Sequence, residues 1–279
     1  MQEKMLGYKI FKTLLAPIYR FWYHPTVIGR ENIPEEGPIL LVGNHVHIMD
    51  QCNVVIATKR SLHYMAKKEY FDNKKVAWFF KMTGCIPVDR SKKDVEATTS
   101  ALEVLHNNQA LGIFPEGTRN AVKEERAREL YEKYFLEDNI SLEEFYEKMK
   151  GNKTSFVNYL EELKDKDFIT LDEFKDNVVQ VDSFLKDMIL NHRLTKEEYY
   201  DHILLPLKFG AVSMAHKTNA LLVPYAITGE YKFRSKDLVV RIGKPFKAGD
   251  DLEKANLKLD KEIKKLMRES EKELANNVK

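Results

Sequence analysis

Ile39-Leu-Leu-Val-Gly-Asn-His-Val-His-Ile-Met-Asp50 joins an apolar run, Ile39–Gly43, to a short segment carrying His45 and Asp50. The run reads as a buried strand, and the segment lies where that strand should end. On an α-helix, residues five apart diverge by about 140°, so His45 and Asp50 cannot share a helical face. They can meet if His45 ends the strand and Asp50 starts the next helix, with the chain turning between them. Asp50 would then accept the Nδ1–H of His45, fixing the tautomer and leaving Nε2 to take a proton. The plainer alternative is a surface histidine and an aspartate capping a helix.

Further short apolar runs read as strands at Thr26–Ile28, Leu62–Met65, Cys85–Val88, Leu111–Phe114, Leu221–Ile227 and Leu238–Ile242. Helical patterns lie between many of them, near 50–58, 74–82, 93–108 and 209–218. This alternation predicts an α/β fold with a mainly parallel sheet flanked by helices. Ligands of such sheets gather outside the carboxyl ends of the strands. His45, Arg90 and Glu116 each closely follow a predicted strand and could converge on one edge.

Of the 279 residues, 43% are hydrophobic and 32% charged, enough for a core beneath a heavily charged surface. Two cysteines, Cys52 and Cys85, argue against a disulfide framework and fit a reducing compartment. The net charge of +2 is unevenly spread. Residues 121–203 hold 13 basic and 21 acidic side chains, a balance of −8, which leaves +10 on the remainder. A basic body suits an anionic substrate, an acidic carrier or an anionic membrane surface, and no nucleic-acid motif accompanies it.

Residues 1–25 form an amphipathic helical segment with Lys4, Lys9, Lys12 and Arg20 among its apolar residues and Trp22-Tyr23 near its end. It lacks the ~20 uninterrupted apolar residues of a spanning helix and has no signal-peptide cleavage pattern. It suits the plane of a membrane interface, or packing on the domain. Residues 121–203 read as an acidic all-helical insertion with three capping boxes, at Ser141/Glu144, Thr170/Glu173 and Thr195/Glu198. Two of these starts mimic the tail of a calcium-binding loop, but lysines at ligand positions exclude it. The expected organisation is an interface segment over 1–25, an α/β domain from 26–120 and 204–250, the insertion 121–203 as a helical cap or solvated appendage, and a C-terminal helix over 251–279.

Three more segments carry chemistry. Gly84-Cys-Ile-Pro-Val-Asp-Arg90 ends a strand with a guanidinium, Phe114-Pro-Glu-Gly-Thr-Arg119 sets Glu116, Gly117 and Arg119 on a turn, and Val223-Pro-Tyr-Ala226 puts Pro224 inside an apolar run. Arginine suits phosphate because its planar fork donates paired hydrogen bonds. With Asn44–Asp50, these four blocks in this order resemble the glycerolipid acyltransferase family, in particular the lysophosphatidic acid acyltransferases. The resemblance covers about residues 26–120 and 204–246. One departure is the roughly 80 residues between Arg119 and the Leu207-Lys-Phe-Gly-Ala211 segment, where the family has a short loop; another is His47 inside the His-x4-Asp block.

The resemblance implies that His45 is the general base and Asp50 its orienting partner. A glycerol hydroxyl would attack an acyl thioester or acyl phosphate directly. It assigns Lys67, Arg90 and Arg119 to the substrate phosphate, Glu116 to the glycerol part and the amides at Gly117 to the oxyanion. It implies no cofactor and no metal, lysophosphatidic acid as acceptor, acyl-carrier protein or acyl-coenzyme A as donor, and peripheral attachment to the cytoplasmic face of a membrane. Two alternatives keep the fold: glycerol-3-phosphate or another lysophospholipid as acceptor, and a non-catalytic lipid-binding relative. A metallo-β-lactamase-like ligand run at His45-x-His47 fails because Met49 stands where an aspartate is needed.

Overall fold

The computed structural model describes residues 5–89 and 94–277, so Arg90 lies outside the described residues. The chain divides into two compact units, Met1–Gly117 with Leu207–Lys279, and Thr118–Pro206.

The first unit is a mixed α/β layer structure. Its strands are β1 (Thr26–Ile28), β2 (Ile39–Gly43), β3 (Leu62–Lys67), β4 (Ile86–Val88), β5 (Ala110–Ile113), β6 (Leu221–Thr228), β7 (Val239–Ile242) and β8 (Phe246–Lys247). They form one sheet in the order β1-β7-β6-β2-β5-β3-β4, with β8 beside β6. β6, β2, β5, β3 and β4 run parallel, while β7 and β8 are antiparallel to β6. Every residue of β2 is buried, as expected of a central strand covered on both faces. On one face Ile39 and Leu41 join Val54, Val223 and Tyr225 in the main apolar cluster. Gly43 lacks a side chain of necessity, because a Cβ there would lie 2.4 Å from the ring of its neighbour Tyr225.

The helices of this unit are α1 (Leu6–Tyr23), α2 (Asp50–Ala57), α3 (Glu69–Asp72), α4 (Ala77–Met82), α5 (Val95–His106) and, past the second unit, α12 (Gly210–Thr218) and α13 (Leu252–Asn277). The observed bounds differ from the sequence reading by up to three residues, and α3 and β8 are too short for their patterns to announce them.

α1 buries Tyr8 and Tyr19 and leaves a separate apolar stripe of Ile10, Leu14, Ile18, Phe21 and Trp22 exposed, while two of its cations reach the end of α2. Lys12 Nζ donates to the Thr58 carbonyl, and Arg20 and Arg30 donate to the Ile56 carbonyl at 3.0 and 3.3 Å. A helix leaves its last carbonyls unpaired and carries partial negative charge there, so cations are suited to that end. Burial, with the nearby Arg20 and Arg30, pulls the Lys12 pKa down to about 8. Lys12 and Arg20 thus hold α1 on α2.

The second unit consists of α6 (Glu124–Tyr134), α7 (Leu142–Met149), α8 (Thr154–Asp165), α9 (Leu171–Asn177), α10 (Val181–Leu190) and α11 (Lys196–Asp201). It has its own core, in which Leu130, Phe145, Phe156, Leu160, Phe174 and Leu185 are fully buried. Thr170 and Thr195 form complete capping boxes with Glu173 and Glu198, whereas Ser141 caps the Glu144 amide without the reciprocal bond. Glu161 ties α6 to α8, accepting from Lys133 Nζ at 2.7 Å, Tyr134 Oη at 2.9 Å and the guanidinium of Arg126. Burial alone would raise its pKa, but these donors outweigh it and hold the carboxyl at about 2. A depressed carboxyl contributes stability above its unfolded pKa of 4.5 and loses it as pH falls towards 2. Acid titration from pH 5 to pH 2 followed by circular dichroism is therefore expected to cost this unit on the order of 1–3 kcal/mol through Glu161. Glu161→Gln should flatten that slope; an unchanged slope would contradict the assignment.

Candidate active site

β2 ends at Gly43, and the next residue sets the direction of everything after it. The amide of Asn44, 1% exposed, donates from Nδ2 to the Ile227 carbonyl at 2.9 Å and accepts from the Ile227 N–H at 2.8 Å. One side chain thus replaces the ladder bonds that a further strand residue would have made to β6. The main chain is released to turn away from the sheet, which carries His45 off its end.

That turn wraps around the Asp50 carboxylate, which has no exposed surface. Its Oδ2 accepts from His45 Nδ1 at 2.8 Å, from Val46 N at 2.7 Å and from His47 N at 2.8 Å. Its Oδ1 accepts from the Tyr231 hydroxyl. Asp50 is the first residue of α2, where negative charge is favoured by the helix dipole. It does not cap α2: its bonds run to the turn, so both the strand-end and helix-start placements expected of His45 and Asp50 are met. A carboxylate only accepts, so the proton on Nδ1 is fixed and Nε2 is left as the basic nitrogen. The imidazole stacks on Phe114, with centroids 3.9 Å apart and planes inclined by 13°.

Glu116 is buried, and its Oε1 accepts from the backbone N–H of His45 at 2.9 Å. This bond links the turn after β5 to the turn after β2. Gly117 has φ +72°, and its own N–H donates to the Phe114 carbonyl at 3.0 Å. The Gly117 amide is thus engaged in the turn. What Gly117 supplies is space: a Cβ there would lie 2.7 Å from Lys208 Nζ.

Lys208 is a cation that the sequence reading did not single out as a site residue. Its N–H donates to the Pro115 carbonyl at 2.9 Å, which lays the side chain across Gly117. The Leu207-Lys-Phe-Gly-Ala211 segment was its signal. Lys67 is the exposed last residue of β3, on the same carboxyl edge as the ends of β2 and β5. Arg119 is exposed and belongs to the second unit.

His47 is not part of this proton path. Its Nδ1 accepts from the Met49 N–H at 3.2 Å, and its ring stacks on Tyr231 at 4.1 Å. Among the described residues, no group of three or more His, Cys, Asp or Glu is placed to hold a metal. Cys52 is half-buried near Asp50, and desolvation with that charge pushes its thiol up to about 11, away from nucleophilic use.

The carboxyl edge of this mainly parallel sheet thus carries a carboxylate-held histidine, a buried glutamate and two lysines, Lys67 and Lys208. The Acyltransferase family model matches residues 24–228, and the chain belongs to that family. It is similar to the 1-acyl-sn-glycerol-3-phosphate acyltransferase of Bacillus subtilis, 31% identical over 96 residues, or 34% of this chain and 48% of that protein. It is also similar to the protein of that name from Streptococcus pneumoniae, 32% identical over 102 residues, or 36% and 37% of the two chains. The matched stretches span about half or less of these curated relatives. The fold is that of the 1-acyl-sn-glycerophosphate acyltransferase PlsC from Thermotoga maritima, with TM-score 0.53, 19% identity, and 96% of this chain and 82% of that one covered.

Removing the Asn44 amide leaves a buried N–H and carbonyl of Ile227 without partners. Asn44→Ala is expected to lower the unfolding free energy in urea by about 2–4 kcal/mol; a loss below about 0.5 kcal/mol would show that the turn does not depend on it.

Proposed function

We propose that this chain transfers a fatty acyl group from a thioester to the free hydroxyl of 1-acylglycerol-3-phosphate, giving phosphatidic acid. The observation that carries the reading is the His45 imidazole, pinned through Nδ1 by a fully buried Asp50 with Nε2 left as the base. Membership of the acyltransferase family and the names of the curated relatives support the acceptor.

In this mechanism Nε2 takes the proton of the acceptor hydroxyl as its oxygen bonds to the thioester carbonyl carbon. Asp50 stabilises the imidazolium that forms. The tetrahedral oxyanion then collapses, the carbon–sulfur bond breaks, and the thiolate receives the proton from His45. Lys67 and Lys208 contribute positive charge at the strand ends. Phosphate binding by Arg90 and Arg119, and a glycerol contact by Glu116, rest on the motifs that carry these residues. The donor is acyl-carrier protein or acyl-coenzyme A, both anionic and matched to the basic body; no protein cofactor takes part.

Turnover is to be measured as phosphatidic acid formed from lysophosphatidic acid and either donor. His45→Ala is expected to lower it by about 10²–10⁴-fold. A variant within tenfold of wild type would rule out the general-base role.

We further propose peripheral attachment at the cytoplasmic face of a membrane. No helix of the described residues is long and apolar enough to cross one, and α1 presents its apolar stripe outward. Leu14 and Ile18 are 61% and 60% exposed, so replacing both by Asp leaves the core intact. That double variant should bind vesicles more than tenfold more weakly, judged from about 2 kcal/mol or more of lost apolar burial. Sedimentation with vesicles checks this, and wild-type binding by the variant would place the interface elsewhere.

A further inference from the structure

The loop between β6 and β7, residues 229–238, meets both the catalytic turn and the exposed face of α1. At one end Tyr231 donates its hydroxyl to Asp50 Oδ1 and accepts from Asn53 Nδ2 at 2.7 Å. Asn53 in turn accepts from the Tyr19 hydroxyl of α1 at 2.9 Å. Burial and the adjacent Asp50 charge raise the Tyr231 pKa far above its ordinary value, so the phenol keeps the proton it donates. Its ring is wedged between His47, stacked at 4.1 Å, and Tyr23, edge-on at 5.6 Å.

Two residues on, the loop faces outward. Phe233 is 55% exposed and packs edge-on against Trp22 with centroids 4.8 Å apart. The Arg234 N–H donates to the Trp22 carbonyl at 2.8 Å, pairing one of the carbonyls left open at the end of α1, and the Arg234 guanidinium lies over the Phe21 ring at 5.4 Å. Phe21, Trp22 and Phe233 therefore extend the apolar stripe of α1 by one more aromatic side chain. Arg234, over Phe21, and Lys236 in the same loop add positive charge, while Lys232 is ion-paired with Glu230 and Asp237 stands in the same loop. Exposed aromatic rings at headgroup depth rimmed by cations match an anionic bilayer surface.

We propose that this loop docks on an anionic bilayer beside α1, and that docking holds Tyr231 on Asp50, so that contact with lipid raises turnover. The proposal rests on the acyl-transfer reading for its rate effect but not for its docking half. The linkage is direct. A bilayer that binds the loop in the arrangement described here increases the fraction of molecules in which Asp50 keeps all its donors and His45 stays oriented. Tyr231 is a positioning residue in this scheme, since it reaches the reacting atoms only through Asp50 and His45.

The test uses the full chain, empty vesicles of phosphatidylglycerol and phosphatidylethanolamine, and a short-chain lysophosphatidate that stays in solution. Wild-type kcat should rise severalfold when vesicles are added. Phe233→Ala should bind the vesicles about three- to tenfold more weakly and show a proportionately smaller rise. Tyr231→Phe should bind vesicles as wild type does, lose kcat with KM little changed, and show no rise. The proposal is overturned if Phe233→Ala binds vesicles like wild type, if added vesicles leave wild-type kcat unchanged, or if Tyr231→Phe responds to them fully. Should wild type transfer no acyl group at all, the reading of the activity fails instead, and sedimentation of Phe233→Ala still decides whether the loop docks.

Discussion

A carboxylate without exposed surface must be compensated inside the protein, because a buried charge is costly unless paired and hydrogen-bonded. Asp50 meets that demand with the imidazole of His45, the amides of Val46 and His47, and the phenol of Tyr231. Each donor comes from a different consequence of the fold. The amides are available because Asn44 diverts the chain from β2, and the imidazole points inward because Phe114 flanks it. The phenol arrives on the loop after β6. Weakening any one of them leaves charge unmatched beside the His45 imidazole.

The same constraint ties the site to the periphery of its unit. α2 begins at Asp50, and its terminal carbonyls are held by Lys12 and Arg20 of α1. A second route runs from Tyr19 through Asn53 and Tyr231 back to Asp50. The helix whose apolar face is exposed is thereby bonded to both ends of the helix that starts at the site. Under the proposed activity, such bonding would keep His45 at a fixed position relative to the exposed face of α1.

Local pattern carried much of this into the sequence. Runs such as Ile39–Gly43 and Leu221–Ile227 are apolar because they lie in the buried middle of the sheet, and that signal needs no partner to be read. The His45–Asp50 contact spans five residues, so helix geometry alone excludes one arrangement and favours the other. Tyr231 was invisible: it lies 181 residues from Asp50, and nothing in a tyrosine after an apolar run indicates what its hydroxyl will reach. The sequence leaves Lys12 and Arg20 open between membrane interface and domain packing, because it shows charge without showing which carbonyls it will meet. Gly117 is legible as a point of backbone freedom, but not the contact by which its missing side chain makes room for Lys208. That contact joins residues about 90 positions apart, across the helical unit, which is why the lysine segment alone could not assign it.

The state of the His45 ring tests the central claim most directly. Nitrogen-15 NMR of the histidine-labelled protein at neutral pH distinguishes the two tautomers by which ring nitrogen carries the proton. The expected spectrum has His45 protonated at Nδ1 and bare at Nε2, with the preference lost in Asp50→Asn. A His45 protonated at Nε2 in the wild-type protein would contradict it, since the nitrogen facing the substrate would then be a donor and could not act as the base.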